Sequence, residues 1–358
     1  MINERYDRQT ILTDFGPDAQ HKLKEAKVLV IGAGGLGVPV LTYLNAMGVG
    51  TLGMVDNDRV ALSNLHRQVL YNETDIGKPK VQLALKKLTA QNSETQLIAH
   101  EDFLNTANAL RLIAEYDVIV DASDNFPTRY LVNDACVILE KPFIYGALYG
   151  FEGQVSVLNY QEGPTYRCLF PTMPKDDEVP NCNENGVLGV IPGIVGNLQA
   201  LETVKVITGV GKPLSGELLL FNGLSNVFQK IRFSRKAENV ERTVLQDSYD
   251  FECETSIETI DAKVFQELLD TGQSPELIDV RTEKEFARHH LKCAKNIPLS
   301  ALQERQTEIV LDKRVYFICQ SGIRSKKAIE QLQQSFSNTS LINVSGGMNV
   351  MGNHAVKH

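Results

Sequence analysis

An apolar run that stops at a cluster of glycines is the feature that most constrains the fold of this chain. Residues 27–31, KVLVI, are typical of a buried parallel strand. The next residues, GAGGLG, place Gly32, Gly34 and Gly37 in a G-x-G-x-x-G pattern at the start of a helical segment. In this strand–turn–helix setting, backbone N–H groups and a helix N-terminus can cradle a phosphate. The pattern therefore predicts a βαβ unit that binds a nucleotide.

Strands and helices alternate after this turn. The apolar runs TLGMVD, QLIAH and DVIVDAS are separated by the helical patterns KPKVQLALKKLTAQN and ANALRLIAEY. This alternation predicts an α/β domain with a Rossmann-like, doubly wound and mainly parallel sheet. Further along, EGQVSVLNY, ELLLFNG and NVFQKIRFS predict an antiparallel extension of that sheet, together with the apolar helix IPGIVGNLQALETVKVITG.

The 358 residues are long enough for two domains. We expect the first domain over residues 1–235, a polar linker over 236–256 and a second, smaller α/β domain over 257–358. In the last of these, PELIDVR predicts a strand, and RVYFICQSGIRSKKAIEQLQQS predicts a strand, a tight loop and a helix.

Charge and cysteine content exclude several classes of function. The formal net charge is −8, which argues against a nucleic-acid-binding protein. We expect no membrane span, because no run of about 18 apolar residues occurs, and no signal peptide, because MINERYDRQT lacks an apolar core. The six cysteines form no C-x-x-C pair, which predicts a cytoplasmic protein with reduced thiols.

Polar residues that follow the second predicted strand indicate which nucleotide binds. Asp56 ends that strand, where a carboxylate can accept hydrogen bonds from ribose hydroxyls. Several side chains after it could surround a polyphosphate: Asn64, Arg67, Gln68, Lys78 and Lys80. Asp124 follows DVIVDAS at the same edge of the sheet, and a carboxylate there suits Mg²⁺ bound to phosphates. Because a triphosphate needs several cations and NAD does not, the sequence favours ATP, and an NAD-dependent oxidoreductase is the remote alternative.

Five motifs in order carry a family resemblance over residues 1–235. RYDRQ, GAGGLG, DNDRVALSNLHRQ, GKPK and DASDN together resemble the MoeB/ThiF branch of the ubiquitin-activating-enzyme family. That family adenylates the C-terminal glycine of a small ubiquitin-fold protein with ATP and Mg²⁺. The resemblance also implies a homodimer in which Arg8 of one subunit reaches the nucleotide site of the other.

The resemblance assigns roles to the polar cluster. Asp56 would hold the ribose, and Asp124 would hold Mg²⁺. The phosphates and the transition state would be served by Asp58, Asn64, Arg67, Gln68 and Lys80. Gly35 and Asn125 complete the nucleotide site that the resemblance implies.

Cys319 is the strongest candidate for a reactive thiol. In ICQSGIRS it lies between a buried strand and a helix, where the loop N–H groups, the helix N-terminus and Arg324 would favour a thiolate. With LIDVR, NIPLS and VSGG in order, residues 257–358 resemble a rhodanese domain. In that family the loop cysteine carries sulfane sulfur as a persulfide. The implied loop is Gln320, Ser321, Gly322, Ile323 and Arg324; the family often has a basic residue where this chain has Gln320.

Two further cysteine positions bear on the expected chemistry. Cys182 lies in a polar, glycine-rich loop where relatives carry a cysteine that bonds to the activated partner protein, and the residues leave a catalytic and a passive role equally open. Relatives also hold a structural zinc with two C-x-x-C pairs. Thr165 occupies the first of these positions, beside Cys168, and residues 234–250 contain no cysteine. We therefore expect no zinc site.

The two resemblances predict one combined activity. The first domain would adenylate the C-terminal Gly-Gly of a ubiquitin-like sulfur carrier of the MoaD/ThiS type, as in molybdopterin-synthase adenylyltransferase/sulfurtransferases. The rhodanese domain would then supply sulfur from Cys319, loaded by a donor such as a cysteine desulfurase, and a thiocarboxylate would result. An adenylating enzyme with a non-catalytic, regulatory rhodanese module is the alternative. The sequence leaves open whether the pathway is that of molybdopterin, thiamine or tRNA thiolation.

Overall fold

The computed structural model describes residues 4–174, 186–249, 257–271, 275–310, 314–333, 340–351 and 355–357. The chain divides into two compact units, Met1–Glu252 and Cys253–His358. Cys182 and Cys253 lie outside the described residues.

The first unit contains an eight-stranded sheet. Its strands are β1 (Lys27–Ile31), β2 (Thr51–Val55), β3 (Gln96–His100), β4 (Val118–Asp121), β5 (Phe143–Tyr149), β6 (Glu152–Leu158), β7 (Glu217–Asn222) and β8 (Val227–Arg232). The order is β3-β2-β1-β4-β5-β6-β7-β8. Strands β1 to β5 are parallel, and β6, β7 and β8 continue the sheet with antiparallel pairs. The predicted Rossmann-like sheet with an antiparallel extension is thus confirmed.

Helices cover both faces of this sheet. They are α1 (Asp7–Thr10), α2 (Gly16–Glu25), α3 (Gly37–Ala46), α4 (Lys80–Gln91), α5 (Ala109–Ala114), α6 (Phe126–Ile138), α7 (Tyr166–Leu169) and α8 (Val190–Thr208). Alternate residues of β1 point to opposite faces: Val28 and Val30 pack with α3, α4 and α8 in one apolar cluster. Leu29 and Ile31 pack with α5 and α6 in the other. Burial on both faces explains why the parallel strands are continuously apolar.

Helix α8 is long and apolar enough to cross a membrane by length and composition alone. In this fold it packs against α3 and against β5 and β6. Its buried Gln199 amide donates a hydrogen bond to the Asp121 carbonyl at 2.7 Å, and its buried Glu202 pairs with Lys205 at 2.6 Å. The Gln199 contact with the sheet and the paired Glu202 are typical of a core helix in a globular unit.

The described part of the predicted linker, residues 236–249, packs on the first unit. The buried carboxylate of Asp134 on α6 receives both Nε and Nη2 of Arg167, at 2.7 and 2.8 Å. The same carboxylate accepts the Tyr249 hydroxyl at 2.7 Å and lies 3.2 Å from Nη1 of Arg242. Asp134, Arg167, Arg242 and Tyr249, the Asp134 network, therefore attach this segment to α6 and α7 through charge-assisted hydrogen bonds.

The second unit contains a five-stranded sheet in which every neighbouring pair is parallel. The strands of the unit are β9 (Glu258–Asp261), β10 (Glu276–Asp279), β11 (His289–Leu291), β12 (Ala294–Asn296), β13 (Val315–Ile318), β14 (Leu341–Ser345) and β15 (Ala355–Lys357). The sheet order is β12-β10-β13-β14-β9, and β11 and β15 form a small antiparallel pair. The helices are α9 (Ala262–Asp270), α10 (Glu283–Arg288), α11 (Leu302–Arg305), α12 (Ile323–Gln333) and α13 (Gly347–Val350). The predicted small α/β domain is confirmed.

Candidate functional site

A cavity of about 540 Å³ opens at the carboxyl ends of the central parallel strands of the first unit. Most residues that the sequence assigned to the nucleotide site line it: Gly32, Gly34, Gly35, Asp56, Asp58, Asn64, Arg67, Gln68, Lys80, Asp124 and Asn125. Gly37 and Arg8 do not. This edge of a doubly wound sheet, where the strand order reverses between β1 and β4, is where such folds bind ligands.

The glycine loop has the shape that a phosphate cradle requires. Gly32 has a φ of +102°, and a Cβ there would lie 2.7 Å from the Ala122 carbonyl oxygen. A Cβ on Gly37 would lie 1.8 Å from the Gly32 carbonyl oxygen, so Gly37 allows α3 to pack directly behind the loop. A Cβ on Gly34 would meet nothing closer than the Gln68 amide at 3.5 Å. Gly34 therefore leaves room on the cavity side for close approach of a ligand.

Asp56 is positioned by the backbone on both sides. Its Oδ2 accepts the Ala33 N–H at 2.8 Å, and its Oδ1 accepts the Asp58 N–H at 2.8 Å. Burial raises the pKa of Asp56 above its usual value, while Lys80 and the two backbone hydrogen bonds oppose that shift. Each carboxylate oxygen keeps a second lone pair for a ligand hydroxyl.

Lys80 is the buried cation of the cavity. It begins α4, its side chain is 5% exposed, and its Nζ donates to Oδ2 of Asp58 at 2.7 Å. The Asp58 side chain is 67% exposed, so water screens this pair on one side only. The ammonium is therefore fixed in the cavity wall and keeps donor capacity for an incoming anion.

Arg67 and Gln68 lie along the glycine loop. A Cβ on Gly35 would be 3.5 Å from Cδ of Arg67, and a Cβ on Gly34 would be 3.5 Å from Nε2 of Gln68. Gln68 is 3% exposed, and its Oε1 has no hydrogen-bond partner. Asn64 holds this turn, because its Oδ1 accepts the Ala61 N–H at 3.0 Å. The turn thus brings the Arg67 guanidinium and the side-chain amide of Gln68 to the glycine loop, where the N–H groups of both side chains could donate to a phosphate.

Asp124 is exposed in the cavity, and none of the described residues gives its carboxylate a hydrogen bond or an ion pair. The next residue, Asn125, caps α6, because its Oδ1 accepts the Thr128 N–H at 2.9 Å. Among the described residues, no group of three or more His, Cys, Asp or Glu could bind a metal ion. A single carboxylate suits Mg²⁺ only when substrate phosphates supply the remaining oxygens.

An aromatic part of the cavity and the cation inside it were not predicted from the sequence. Phe126, Tyr145, Tyr166 and Phe170 line this part, and Arg129 lies among them. Arg129 is 7% exposed. The available signal was its position one helical turn after the DASDN motif, which places it beside the same crevice.

Cys319 occupies the turn between β13 and α12 of the second unit. It is 1% exposed. Its Sγ accepts the Gly322 N–H at 3.1 Å and lies 3.5 Å from the Ser325 hydroxyl, which also donates to Oδ1 of Asn343 at 2.7 Å. Gly322 has a φ of +98°, which lets the loop turn its N–H towards the sulfur.

The environment of Cys319 favours the thiolate. Burial acts to raise the pKa of the thiol, but hydrogen bonds from the Ser325 side chain and from the N–H groups of Ser325, Ser321 and Gly322 outweigh it. The pKa is therefore lowered below its usual value. Arg324, which the sequence analysis expected to contribute, directs its guanidinium at Glu285 in two hydrogen bonds of 2.8 and 2.7 Å. The loop backbone and Ser325 contribute more directly than Arg324.

The other residues of the Cys319 loop differ in exposure. The Gln320 amide donates to Oδ1 of Asn349 at 2.7 Å, and its Oε1 accepts a hydrogen bond from Nη1 of Arg281 at 3.4 Å. Ser321 is exposed, and Ile323 is 60% exposed. The loop thus presents polar and apolar atoms beside the buried sulfur, a surface against which a sulfur donor or acceptor can lie.

The described cysteines outside this loop are small buried or half-buried groups. Cys136 and Cys293 have pKa values raised by burial, which disfavours the reactive thiolate. Cys168 is buried, and its Sγ accepts the N–H groups of Lys236 at 3.3 Å and Thr165 at 3.4 Å. Backbone donors therefore occupy this sulfur.

Comparison with known proteins identifies both units. The model of the ThiF family matches residues 6–242, and that of the rhodanese-like domain matches residues 261–353. A sulfur carrier protein adenylyltransferase of Thermus thermophilus is 53% identical over 237 residues, covering 65% of this chain and 88% of the relative. Proteins named adenylyltransferase and sulfurtransferase MOCS3 are 39% identical in Arabidopsis thaliana (92% of this chain, 79% of the relative) and in Xenopus laevis (96% and 85%).

This chain also resembles solved structures. MccB of E. coli with ATP matches with a TM-score of 0.59 and 26% identity, covering 66% of this chain and 73% of that chain.

Proposed function

The chain belongs to the ThiF family and is an adenylyltransferase and sulfurtransferase; on that premise we propose a two-step reaction on one substrate protein. The first unit adenylates the C-terminal glycine of a ubiquitin-like sulfur carrier, using ATP and Mg²⁺. The second unit transfers sulfur from a persulfide on Cys319, and the product is a carrier thiocarboxylate. The enzyme would work as a cytoplasmic homodimer, with Arg8 completing the nucleotide site of the partner subunit.

In the first step, the cavity residues take separate roles. Asp56 accepts the ribose hydroxyls, and the glycine loop with Arg67 and Gln68 binds the phosphates. Lys80 stabilises the negative charge that develops as pyrophosphate leaves. Mg²⁺, with Asp124 as its protein ligand, would neutralise phosphate charge. The carrier carboxylate attacks the α-phosphorus, the bond to pyrophosphate breaks, and an acyl-adenylate results.

One observation carries this assignment. Lys80, a buried and fixed cation, and Asp124, a carboxylate without a described partner, line the same cavity beside a glycine loop. A redox coenzyme needs neither of them for hydride transfer, whereas metal-assisted nucleotidyl transfer needs both.

In the second step, the terminal sulfur of the Cys319 persulfide attacks the acyl-adenylate carbonyl carbon, and AMP leaves with the carbon–oxygen bonding electrons. The carrier is then joined to Cys319 through an acyl disulfide. A thiolate that attacks Sγ of Cys319 releases the thiocarboxylate and leaves a disulfide behind. Cys182 is our candidate for that thiol. A small-molecule or protein dithiol would then reduce the Cys319–Cys182 disulfide, and a cysteine desulfurase is the candidate donor that reloads the freed Cys319 thiolate.

The first step is tested by exchange of labelled pyrophosphate into ATP with a carrier ending in Gly-Gly. We expect exchange only when the carrier is present, and we expect Asp124→Ala to abolish it. Asp14, an exposed carboxylate on a turn that does not line the cavity, supplies the control variant Asp14→Ala. Full exchange by Asp124→Ala would reject the metal assignment, and binding of NADH without binding of ATP would reject the function.

The second step is tested with Cys319→Ala. We expect normal pyrophosphate exchange, no persulfide after treatment with thiosulfate or a desulfurase, and no thiocarboxylate by mass spectrometry. If Cys319→Ala still produces thiocarboxylate from the same donors, the rhodanese-like unit is a regulatory module and the sulfur reaches the carrier elsewhere.

A further inference from the structure

Arg129 is a buried cation in the aromatic part of the cavity. It lies in the first turn of α6, and its guanidinium carbon is 5.2 Å from the centre of the Phe126 ring and 5.7 Å from that of Tyr145. Its Nη2 donates a long hydrogen bond of 3.3 Å to the Ser123 carbonyl. Its Nε is buried without a hydrogen-bond partner. Most of its donor capacity is therefore unused.

An arginine buried to this degree is normally paired with an anion. Arg167 illustrates the ordinary case in the same unit, since it is 6% exposed and makes two hydrogen bonds to Asp134. No ion pair within 4 Å is found for Arg129 among the described residues. Two carboxylates influence its charge: Asp121, whose burial raises its own pKa and so weakens it as a counterion, and the solvent-exposed Asp124.

The surroundings of Arg129 indicate the kind of anion that would form an ion pair with it. The space beside Arg129 is lined by aromatic rings, and Arg129 is the cation that lies among them. A polyphosphate would therefore lack the hydrogen-bond donors that it needs there. Lys80, Arg67 and the glycine loop, which line the same cavity, provide those donors. A small monoanion suits the space beside Arg129, because a guanidinium binds a carboxylate through two parallel hydrogen bonds. Ser123, whose carbonyl Arg129 contacts, directly precedes Asp124, so this anion would lie beside the proposed nucleotide site.

We propose that Arg129 binds the C-terminal carboxylate of the sulfur carrier and orients it for attack on the α-phosphorus. The inference rests on the proposed adenylation, because it names the group that holds the second substrate of that reaction. The guanidinium offsets the repulsion between the incoming carboxylate and the triphosphate. Once the new oxygen–phosphorus bond has formed, the acyl group is no longer an anion, and its pairing with Arg129 is lost.

The test compares two forms of one carrier, with a carboxylate or a carboxamide on the last glycine. The carrier is a ubiquitin-fold protein ending in Gly-Gly that supports exchange with the wild-type enzyme. Binding is measured by calorimetry with α,β-methylene-ATP present, so that no chemistry occurs. The variants are Arg129→Met and Arg129→Lys, and Arg111→Met on the exposed face of α5 is the control.

Wild type and Arg111→Met should bind the carboxylate form roughly 30-fold or more tightly than the carboxamide form. Arg129→Met should bind both forms alike, with unchanged affinity for the nucleotide analogue, and Arg129→Lys should recover part of the preference. A wild-type enzyme without preference, or an Arg129→Met variant that keeps it, would overturn the proposal. Loss of nucleotide affinity instead would assign Arg129 to the phosphates. Failure of the proposed adenylation can be distinguished from failure of the Arg129 proposal, because no carrier would then stimulate pyrophosphate exchange by the wild-type enzyme.

Discussion

The Asp134 network predicts a large and specific loss of stability on substitution. Replacement of Asp134 by Asn removes the charge that balances two arginines and leaves Arg167 buried without a counterion. Arg167 is 6% exposed, so water cannot replace the lost carboxylate. Breaking a buried pair in this way costs about 3–5 kcal/mol, because the remaining charge stays desolvated.

That free energy translates into a measurable change in melting temperature. The first unit spans Met1–Glu252, and for a domain of this size 1 kcal/mol shifts Tm by about 2–4 °C. We therefore expect Asp134→Asn to melt about 6–20 °C lower. Only the transition of the first unit should move, while the transition of the rhodanese-like unit stays in place.

Differential scanning calorimetry of the full chain checks this expectation, and a shift on addition of ATP identifies the first unit. Glu217→Gln is the matched control, because it removes a carboxylate that pairs with the exposed side chains of Lys230 and Arg232. Solvent screens such pairs, so we expect its Tm to stay near that of the wild type. If Asp134→Asn melts no lower than Glu217→Gln, the Asp134 network does not hold the 236–249 segment.

Three further predictions concern the two sites. Gly37→Ala should lower the free energy of unfolding of the first unit by about 1–3 kcal/mol in chemical denaturation, because its Cβ would lie 1.8 Å from the Gly32 carbonyl oxygen. Gly34→Ala should leave this free energy unchanged and raise the KM for ATP. Alkylation of Cys319 by iodoacetamide should reach half its maximal rate at a lower pH than alkylation of a free thiol, because the lowered pKa of Cys319 makes the thiolate form at lower pH. Ser325→Ala removes one hydrogen-bond donor to the sulfur and should move this midpoint to higher pH. Elemental analysis should find no stoichiometric zinc, and one zinc per subunit would contradict the expectation drawn from Thr165.

Local patterns explain what the sequence could predict of the fold. The strand β1 and the glycine loop follow from neighbouring residues, since KVLVI must be buried and only glycine fits a φ of +102° at Gly32. The turn around Cys319 is equally local, because Gly322 lies three residues away. Strands β11, β12 and β15 have three residues each, too few for a periodic signal, and they were missed.

The candidate site also contains residues that the sequence could place and residues that it could not. Asp56, Lys80 and Asp124 could be placed at one cavity because each follows or precedes a predictable strand or helix, and carboxyl ends of parallel strands meet at one edge. Their chemical roles stay predictions. The Asp134 network joins side chains that are up to 115 residues apart in the sequence, so no sequence spacing predicts it.

Arg129 shows why the remaining part of the site was out of reach. A lone arginine in an amphipathic helix is usually solvated. The position of Arg129 one helical turn after DASDN places it beside the crevice, but it does not show that the side chain is buried and unpaired. Its significance comes from what surrounds it: two aromatic rings, an unsatisfied Nε and the absence of an ion pair among the described residues. A missing partner is a property of the packed fold and not of any sequence pattern. Buried charges left unpaired by the chain itself are therefore the places where structure adds most to a functional assignment made from motifs.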